Sequence, residues 1–310
     1  MERIKAFVLA RDHFFILTHV RPDGDALGSA AALCYGLRAL GKTAYVAPNS
    51  GITGRFLPYV EGVLPPLGLL PQTVVSVDCS TRARLPVEQS AFAVDVILDH
   101  HTTREPYAPL AYIDPTAAAT GEIIFDLLML LEVPLTQEIA LPLYLALATD
   151  TGCFRFSNTT AKTHAIAARL METGIDVTKT NEVMFETKSQ ARLKLETHLY
   201  QTMVFHHEGR VAFSVLDTLT MTRTGATEDD IGALSSLGRH VEGVGIAAML
   251  RQEPEGFKLS IRSLAPYRAD RICAQMGGGG HIRAAGATIE GTLEQATAAV
   301  MSAIAEELRA

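Results

Sequence analysis

Cysteine is scarce and scattered: Cys34, Cys79, Cys153 and Cys273 stand far apart in 310 residues, with no Cys-Xaa-Xaa-Cys pair among them. That spacing excludes a disulfide framework and argues against structural zinc, and it fits a reducing cytoplasm. Cys79 and Cys153 are expected to be small buried filler. Long apolar runs are missing as well. The longest, Ile123 to Leu131 and Ile139 to Ala148, are interrupted by Asp126 and Pro142. Both fall short of the roughly 20 residues a membrane-spanning helix needs and read as buried helices. The opening residues Met1-Glu2-Arg3-Ile4-Lys5-Ala6-Phe7 lack the pattern of a secretory signal, so a cytoplasmic protein with no membrane partner is expected. An excess of positive charge is absent too: the net charge is −7. Extended duplex binding is driven by many Lys and Arg contacts to phosphate, so duplex DNA is excluded as a partner, whereas short or mononucleotide ligands gripped locally are allowed. No repeat or low-complexity tract appears, and the length suits two domains.

What is present is a series of carboxylates and imidazoles where apolar runs stop. Thr18-His19-Val20-Arg21-Pro22-Asp23-Gly24-Asp25-Ala26-Leu27-Gly28-Ser29 follows the run Phe14 to Leu17. Asp78 ends Thr73 to Val77, Asp99-His100-His101 ends Ala93 to Leu98, and Asp150 follows Leu143 to Thr149. Each alone has an ordinary explanation as a helix cap, a turn or a solvated strand end. Jointly they point to a metal site, because ligands of open α/β sheets gather beyond the carboxyl ends of the strands. A helix from Ala26 to Leu40 with Asp25 as N-cap and Gly41 as its stop completes the local reading. Asp23, Asp25, Asp78 and Asp150 would repel one another unless cations compensate them. Two divalent ions match that charge. Imidazole and carboxylate donors without thiolate favour Mn²⁺, with Mg²⁺, Co²⁺ or Zn²⁺ as alternatives. An ion pair can activate water and clamp both oxygens of an in-line phosphoryl displacement, so phosphate-ester hydrolysis is the expected chemistry.

Beyond Gly152, a helix is expected over Thr160 to Glu172, ended by Gly174, and a polar helical linker over 188–200. Hairpins follow over Met203 to His207 with Val211 to Leu216, and Val244 to Arg251 with Phe257 to Arg262. Thr227 to Leu237, Ala269 to Met276 and Leu293 to Leu308 read as helices. Gly277-Gly278-Gly279-Gly280-His281 leaves backbone amides accessible to an anion. Arg262 can fork onto phosphate, and Ser263 stands beside it.

These motifs, in this order, resemble the DHH phosphoesterase family, in particular its stand-alone oligoribonuclease and pAp phosphatase branch. The resemblance covers nearly the whole chain. It implies an α/β fold: a parallel-sheet DHH domain with helices on both faces over 1–187, and a smaller α/β DHH-associated domain over 201–310, across an interdomain cleft. It implies one metal held by His19, Asp23, Asp78 and Asp150 and another by Asp25, Asp78, His100 and Asp150. Asp99 would support the cluster, and His101 would face the scissile phosphate. Arg155, Arg262, Ser263, Gly278, Gly279, Gly280 and His281 would bind substrate. Short RNA oligonucleotides and pAp are the implied substrates, and a homodimer is an open arrangement. Two other readings stand beside this one: a hydrolase of linear dinucleotides such as pApA or pGpG, and a non-catalytic nucleotide-binding or RNA-binding module.

Overall fold

Short apolar runs buried on both sides form the centre of the first half of the chain, as parallel strands require. Phe14–Leu17 (β1), Ala44–Val46 (β2), Thr73–Val77 (β3), Val96–Asp99 (β4) and Leu110–Ile113 (β5) make one parallel sheet in the order β2-β1-β3-β4-β5. The structure, a computed structural model, describes residues 1–66, 68–69, 71–101 and 107–309. The chain divides into two units, Met1–Thr187 and Lys188–Ala310.

The helices of the first unit are Glu2–Ala10 (α1), Gly24–Ala39 (α2), Leu57–Val60 (α3), Thr120–Leu130 (α4), Gln137–Asp150 (α5), Ala161–Met171 (α6) and Val177–Asn181 (α7). Strand residues alternate between two cores, as a pleated sheet dictates. Phe14, Ile16, Val75, Val77, Val96 and Leu98 join Leu27, Leu33, Ile123, Leu127, Leu143 and Leu147 of the helices. Phe15, Leu17, Val74 and Ile97 instead meet Cys79, Leu85 and Val94, with Phe92 against them. Long helices therefore cover one face. The other, where helices were also expected, carries among the described residues the β3–β4 connection, whose regular element is the 3₁₀ turn Arg82–Arg84, together with Ala47, Leu69 and Tyr107 from neighbouring connections. Pro86 and the polar Ser80-Thr81-Arg82 leave no helical run there.

Helix α2 begins earlier than its sequence suggests. Asp23, not Asp25, is the N-cap, its carboxylate accepting from the amides of Asp25 and Ala26 at 3.1 Å each. Asp25 thus lies in the first turn with its carboxylate free to reach another element. Gly28 lets α2 lie against α5: a Cβ there would sit 2.3 Å from Pro142 O.

The second unit contains Gln190–Thr202 (α8), Val204–His206 (β6), Val211–Leu216 (β7), Thr218–Thr224 (α9), Ile246–Glu253 (β8), Gly256–Ser263 (β9), Ala269–Ala274 (α10), Gly279–His281 (β10), Ala284–Glu290 (β11) and Leu293–Glu307 (α11). The sheet runs β10-β11-β9-β8-β7-β6, with β7 and β8 parallel and the other neighbours antiparallel. Helices α10 and α11 supply the core on one face. The helix expected as a linker is α8, and it packs into this unit: Leu195 and Leu199 join Leu216, Leu237 and Met249 on the opposite face. The helix expected over Thr227 to Leu237 is instead two 3₁₀ segments, Glu228–Asp230 and Leu234–His240. Ala233, at φ 60°, breaks the register between them, while Arg192 takes up the carbonyls of Asp230 and Gly232. No helix among the described residues is long and apolar enough to cross a membrane.

Candidate metal centre

Strand ends and helix ends deliver the predicted residues of the first unit to one place. His19 follows β1, Asp78 follows β3, Asp99 ends β4 with His100 and His101 behind it, and Asp23 and Asp25 open α2. Asp150 is the last residue of a helix, α5. A carboxylate there meets the negative end of the helix dipole, an unfavourable position that a cation would reverse. Asp78 itself takes a left-handed backbone, φ 51°, rare for a residue with a side chain and typical of positions that structure holds under strain for function.

Asp78 stands at the centre. Its Oδ2 lies 3.7 Å from His19 Nε2, and its Oδ1 lies 3.6 Å from His100 Nε2. His19 Nε2 is also 3.9 Å from Asp23 Oδ1, and His100 Nε2 is 3.7 Å from both Asp25 Oδ2 and Asp150 Oδ2. These separations are too long for hydrogen bonds. They suit donor atoms that share an ion at about 2.1 Å each. Two groups, His19 with Asp23 and Asp78, and Asp25 with Asp78 and His100, each gather their candidate donor atoms within 4.8 Å. Both imidazoles are oriented for ligation: His19 Nδ1 faces Val20 O at 2.9 Å and His100 Nδ1 faces Ala117 O at 3.2 Å. A proton on Nδ1, donated to the carbonyl, leaves the Nε2 lone pair toward the carboxylates.

The electrostatics follow from crowding. Burial, then the charge of Asp78, pushes Asp25 well above its ordinary carboxylate value. Burial together with Asp23 and Asp78 does the same to Asp150. Burial would raise Asp78 too, but hydrogen bonding from His101 and the charges of His101, His100 and His19 hold it below the usual range. Burial opposes the charged form of His101, yet Asp78 and Asp99 outweigh it and push the imidazole up to about 11. Asp99 is fully buried. Its Oδ1 accepts from His101 Nδ1 at 2.8 Å and from the His101 amide at 2.9 Å. His101 therefore presents Nε2, rather than Nδ1, to an incoming group.

A segment that the sequence reading passed over, Ala117-Ala118-Ala119-Thr120-Gly121, surrounds this cluster. Besides Ala117 O on His100, the amides of Thr120 and Gly121 donate to Asp25 at 2.7 and 3.0 Å, and Thr120 Oγ1 donates to Asp78 Oδ1 at 2.9 Å. Asn158 Nδ2 ties Ala118 O to Asp150 O at 2.8 and 3.2 Å. The available signal was a run of small residues followed by Thr-Gly-Glu at the entry to an apolar helix. Arg155 is exposed in the turn after α5, its Nε donating to Gly152 O at 2.6 Å. Gly152, Cys153 and Phe154 before it are all left-handed, at φ 58°, 60° and 61°.

In the second unit, strand register assigns faces to the remaining residues. Arg262 pairs with Ala247 and Ala284, and Ala284 pairs with His281. Directly opposed residues share a sheet face, so Arg262 and His281 lie on one side with a single small residue between them. Burial, and after it the charge of Arg239, pushes the Arg262 guanidinium below its ordinary pKa. An anion would relieve both effects. Ser263 belongs to the opposite face: it is buried and its hydroxyl donates to Tyr267 O at 2.8 Å. It was expected beside the substrate with Arg262, but neighbouring strand residues point to opposite sides, so the two do not share a face. The glycines also divide. A Cβ on Gly278 would lie 2.2 Å from Gly286 O and one on Gly280 would lie 2.6 Å from Ala284 O, so β11 itself demands both. Gly279 is the one of the three that opens onto free space.

A parallel sheet whose carboxyl ends gather carboxylates and imidazoles around one shared aspartate, followed along the chain by a second sheet unit, defines a phosphoesterase of the DHH type. The profile of the DHH family N-terminal domain matches residues 13–147, and that of the DHHA1 domain matches residues 208–310. The bifunctional oligoribonuclease and PAP phosphatase NrnA of Thermus thermophilus is 39% identical over 301 residues, covering 95% of this chain and 90% of the relative. The protein of the same name from Bacillus subtilis is 24% identical over 287 residues, covering 90% of each. An exopolyphosphatase-related protein of Bacteroides fragilis shares the fold, with a TM-score of 0.86 at 24% identity over 98% of this chain and 95% of that one. The chain belongs to the DHH family.

Proposed function

We propose that this protein is a Mn²⁺-dependent phosphoesterase that shortens very short RNA oligonucleotides and removes the 3′-phosphate of pAp. The observation that carries the reading is Asp78, whose two oxygens face His19 on one side and His100 on the other. His19, Asp23, Asp78 and Asp150 would hold one cation, and Asp25, Asp78, His100 and Asp150 the other. When bound, the cations supply the charge that neutralises the carboxylates and lowers the pKa of the attacking water. The chain's own residues do the rest. Asp99 fixes His101 through Nδ1, so that Nε2 carries the proton given to the leaving oxygen. In pAp that oxygen is the ribose 3′-oxygen. Arg262, His281 and the open Gly279 of the second unit would take a substrate phosphate, and within the first unit Arg155 is the cation that stands after α5. The names of the relatives from Thermus thermophilus and Bacillus subtilis support the choice of substrates.

Net charge of −7 and a single short anion grip favour small substrates over long strands. The test offers purified protein and Mn²⁺ with pAp, pApA and 5′-labelled RNAs of increasing length. The expected outcome is release of AMP from pAp and the highest kcat/KM for RNAs of about two to five nucleotides. Equal or better cleavage of a 24-nucleotide RNA would overturn the short-substrate reading. Turnover of pApA alone would make the protein a linear-dinucleotide hydrolase.

A further inference from the structure

We infer that Thr120 is the positioning residue of the centre and sets the affinity of both cation positions through Asp78. The inference rests on the metal reading above and adds a residue to it. Thr120 is fully buried at the first turn of α4, yet it caps nothing in its own helix. The residue before it, Ala119, is the N-cap and has no side-chain acceptor to offer the amides of that turn. Asp25 from α2 supplies the acceptors instead, taking the Thr120 and Gly121 amides on separate oxygens at 2.7 and 3.0 Å. With its amide engaged, Thr120 has only the hydroxyl left, and the hydroxyl donates to Asp78 Oδ1 at 2.9 Å.

One residue therefore contacts two candidate ligands from two directions, through its backbone and through its side chain. The consequence differs for the two bonds. The backbone bond to Asp25 survives any substitution that keeps α4. The hydroxyl bond, at 2.9 Å shorter than the 3.4 Å approach of His101 Nδ1 to the same oxygen, holds the rotation of the Asp78 carboxylate, and with it the direction in which Oδ1 faces His100 and Oδ2 faces His19. Asp78 needs such a restraint. It stands at a left-handed backbone position at a strand end, where its amide is tied to Leu98 O at 3.0 Å but its carboxylate has no helix amides to accept from, as Asp25 has. Because Asp78 addresses both groups, loosening it weakens both binding events rather than one. Hydrogen-bond partners of metal ligands typically carry about 10–100-fold in affinity.

The test uses the full chain, stripped with chelator and titrated with Mn²⁺ by calorimetry and by the electron paramagnetic resonance signal of free Mn²⁺. Thr120→Val keeps the shape and removes the hydroxyl, and Thr120→Ala removes it without a branched side chain in case Val disturbs the helix start. Both variants are expected to bind both ions about 10–100-fold more weakly than wild type. Thr120→Ser is expected to stay within about threefold of wild type, since it keeps the donor. With Mn²⁺ raised to saturation, kcat on pAp should recover in the Val variant with KM unchanged. Wild-type Mn²⁺ affinity in both the Val and Ala variants would overturn the inference, as would a Ser variant as weak as Val. A wild-type protein that takes up no Mn²⁺ would overturn the metal reading itself, an outcome distinct from the other two.

Discussion

At the scale of single residues, conformation and charge can be separated at Asp78. Its φ of 51° costs an ordinary side chain about 1–2 kcal/mol, but Asn tolerates that region nearly as well as Asp. Asp78→Ala would therefore mix backbone strain with lost charge, whereas Asp78→Asn keeps the backbone preference and removes the charge along with one acceptor oxygen. Asp78→Asn is expected to keep the circular dichroism of wild type, to lose Mn²⁺ from both positions and to lose turnover; two ions retained per chain would remove the shared role. His101→Ala should behave oppositely, keeping the ions and losing about 10²–10⁴ in kcat, as for a positioned proton donor. Metal content measured on both variants separates the roles. The ligand candidates were readable in the sequence because metal chemistry restricts the side-chain types and the sheet restricts where they stand. Thr120 was not, because a hydroxyl near an apolar run has many ordinary uses. Ser263 was read together with its neighbour Arg262, whereas strand alternation sets the two on opposite faces.

At the scale of elements, legibility followed burial. Strands β1 and β3 stand where their apolar runs stand, since every residue of both is buried and no charged residue intrudes. Strand β5 went unread although Leu110-Ala111-Tyr112-Ile113 is apolar, because no ligand-type cluster follows it and it is a partly exposed edge, and β10 went unread because glycines carry no strand signal. The 3₁₀ segments replaced an expected helix because Gly232 and Ala233 interrupt its period. The contact that matters most for the site, α2 on α5, was also unread, because it depends on a hydrogen atom at Gly28. In an exposed helix, Gly→Ala gains about 0.5–1 kcal/mol. Here the new methyl would meet a backbone carbonyl at 2.3 Å and a backbone nitrogen at 2.9 Å, neither of which can rotate away. Overpacking of that kind costs about 1–3 kcal/mol, so the steric term wins. Gly28→Ala is expected to lower the melting temperature and, because α2 carries Asp23 and Asp25 while α5 carries Asp150, to weaken Mn²⁺ binding as well. A variant melting above wild type would show that the helices separate without cost.

At the scale of the whole molecule, the candidate ligands span residues 19 to 150, so cations bound there would join the ends of β1, β3 and β4 to α2 and α5. Binding to the folded chain alone stabilises it by about 2.7 kcal/mol at an ion concentration of 100 times Kd. For a unit of this size each kcal/mol moves the melting temperature by about 2–4 °C, so a rise of roughly 5–10 °C for each ion bound is expected on adding Mn²⁺ to chelated protein. Its pH dependence has a definite sign. Asp25 and Asp150 have folded pKa values raised above the ordinary 3.8. In the metal-free protein their contribution is full below 3.8 and is lost as pH rises through the raised folded values, because the unfolded chain gives up those protons more readily. Asp78, held low, works the other way, but its contribution is lost only as pH falls below 3.8 toward its depressed value. Between pH 4 and 8 the metal-free protein should therefore lose stability with rising pH at this cluster, while cations, which need the ionised carboxylates, gain affinity. The Mn²⁺-induced rise in melting temperature should be largest near pH 8 and shrink toward pH 5. A rise that is constant across that range, measured by calorimetry in chelated and Mn²⁺-loaded samples, would mean that the ions do not displace protons from Asp25 and Asp150 and bind elsewhere.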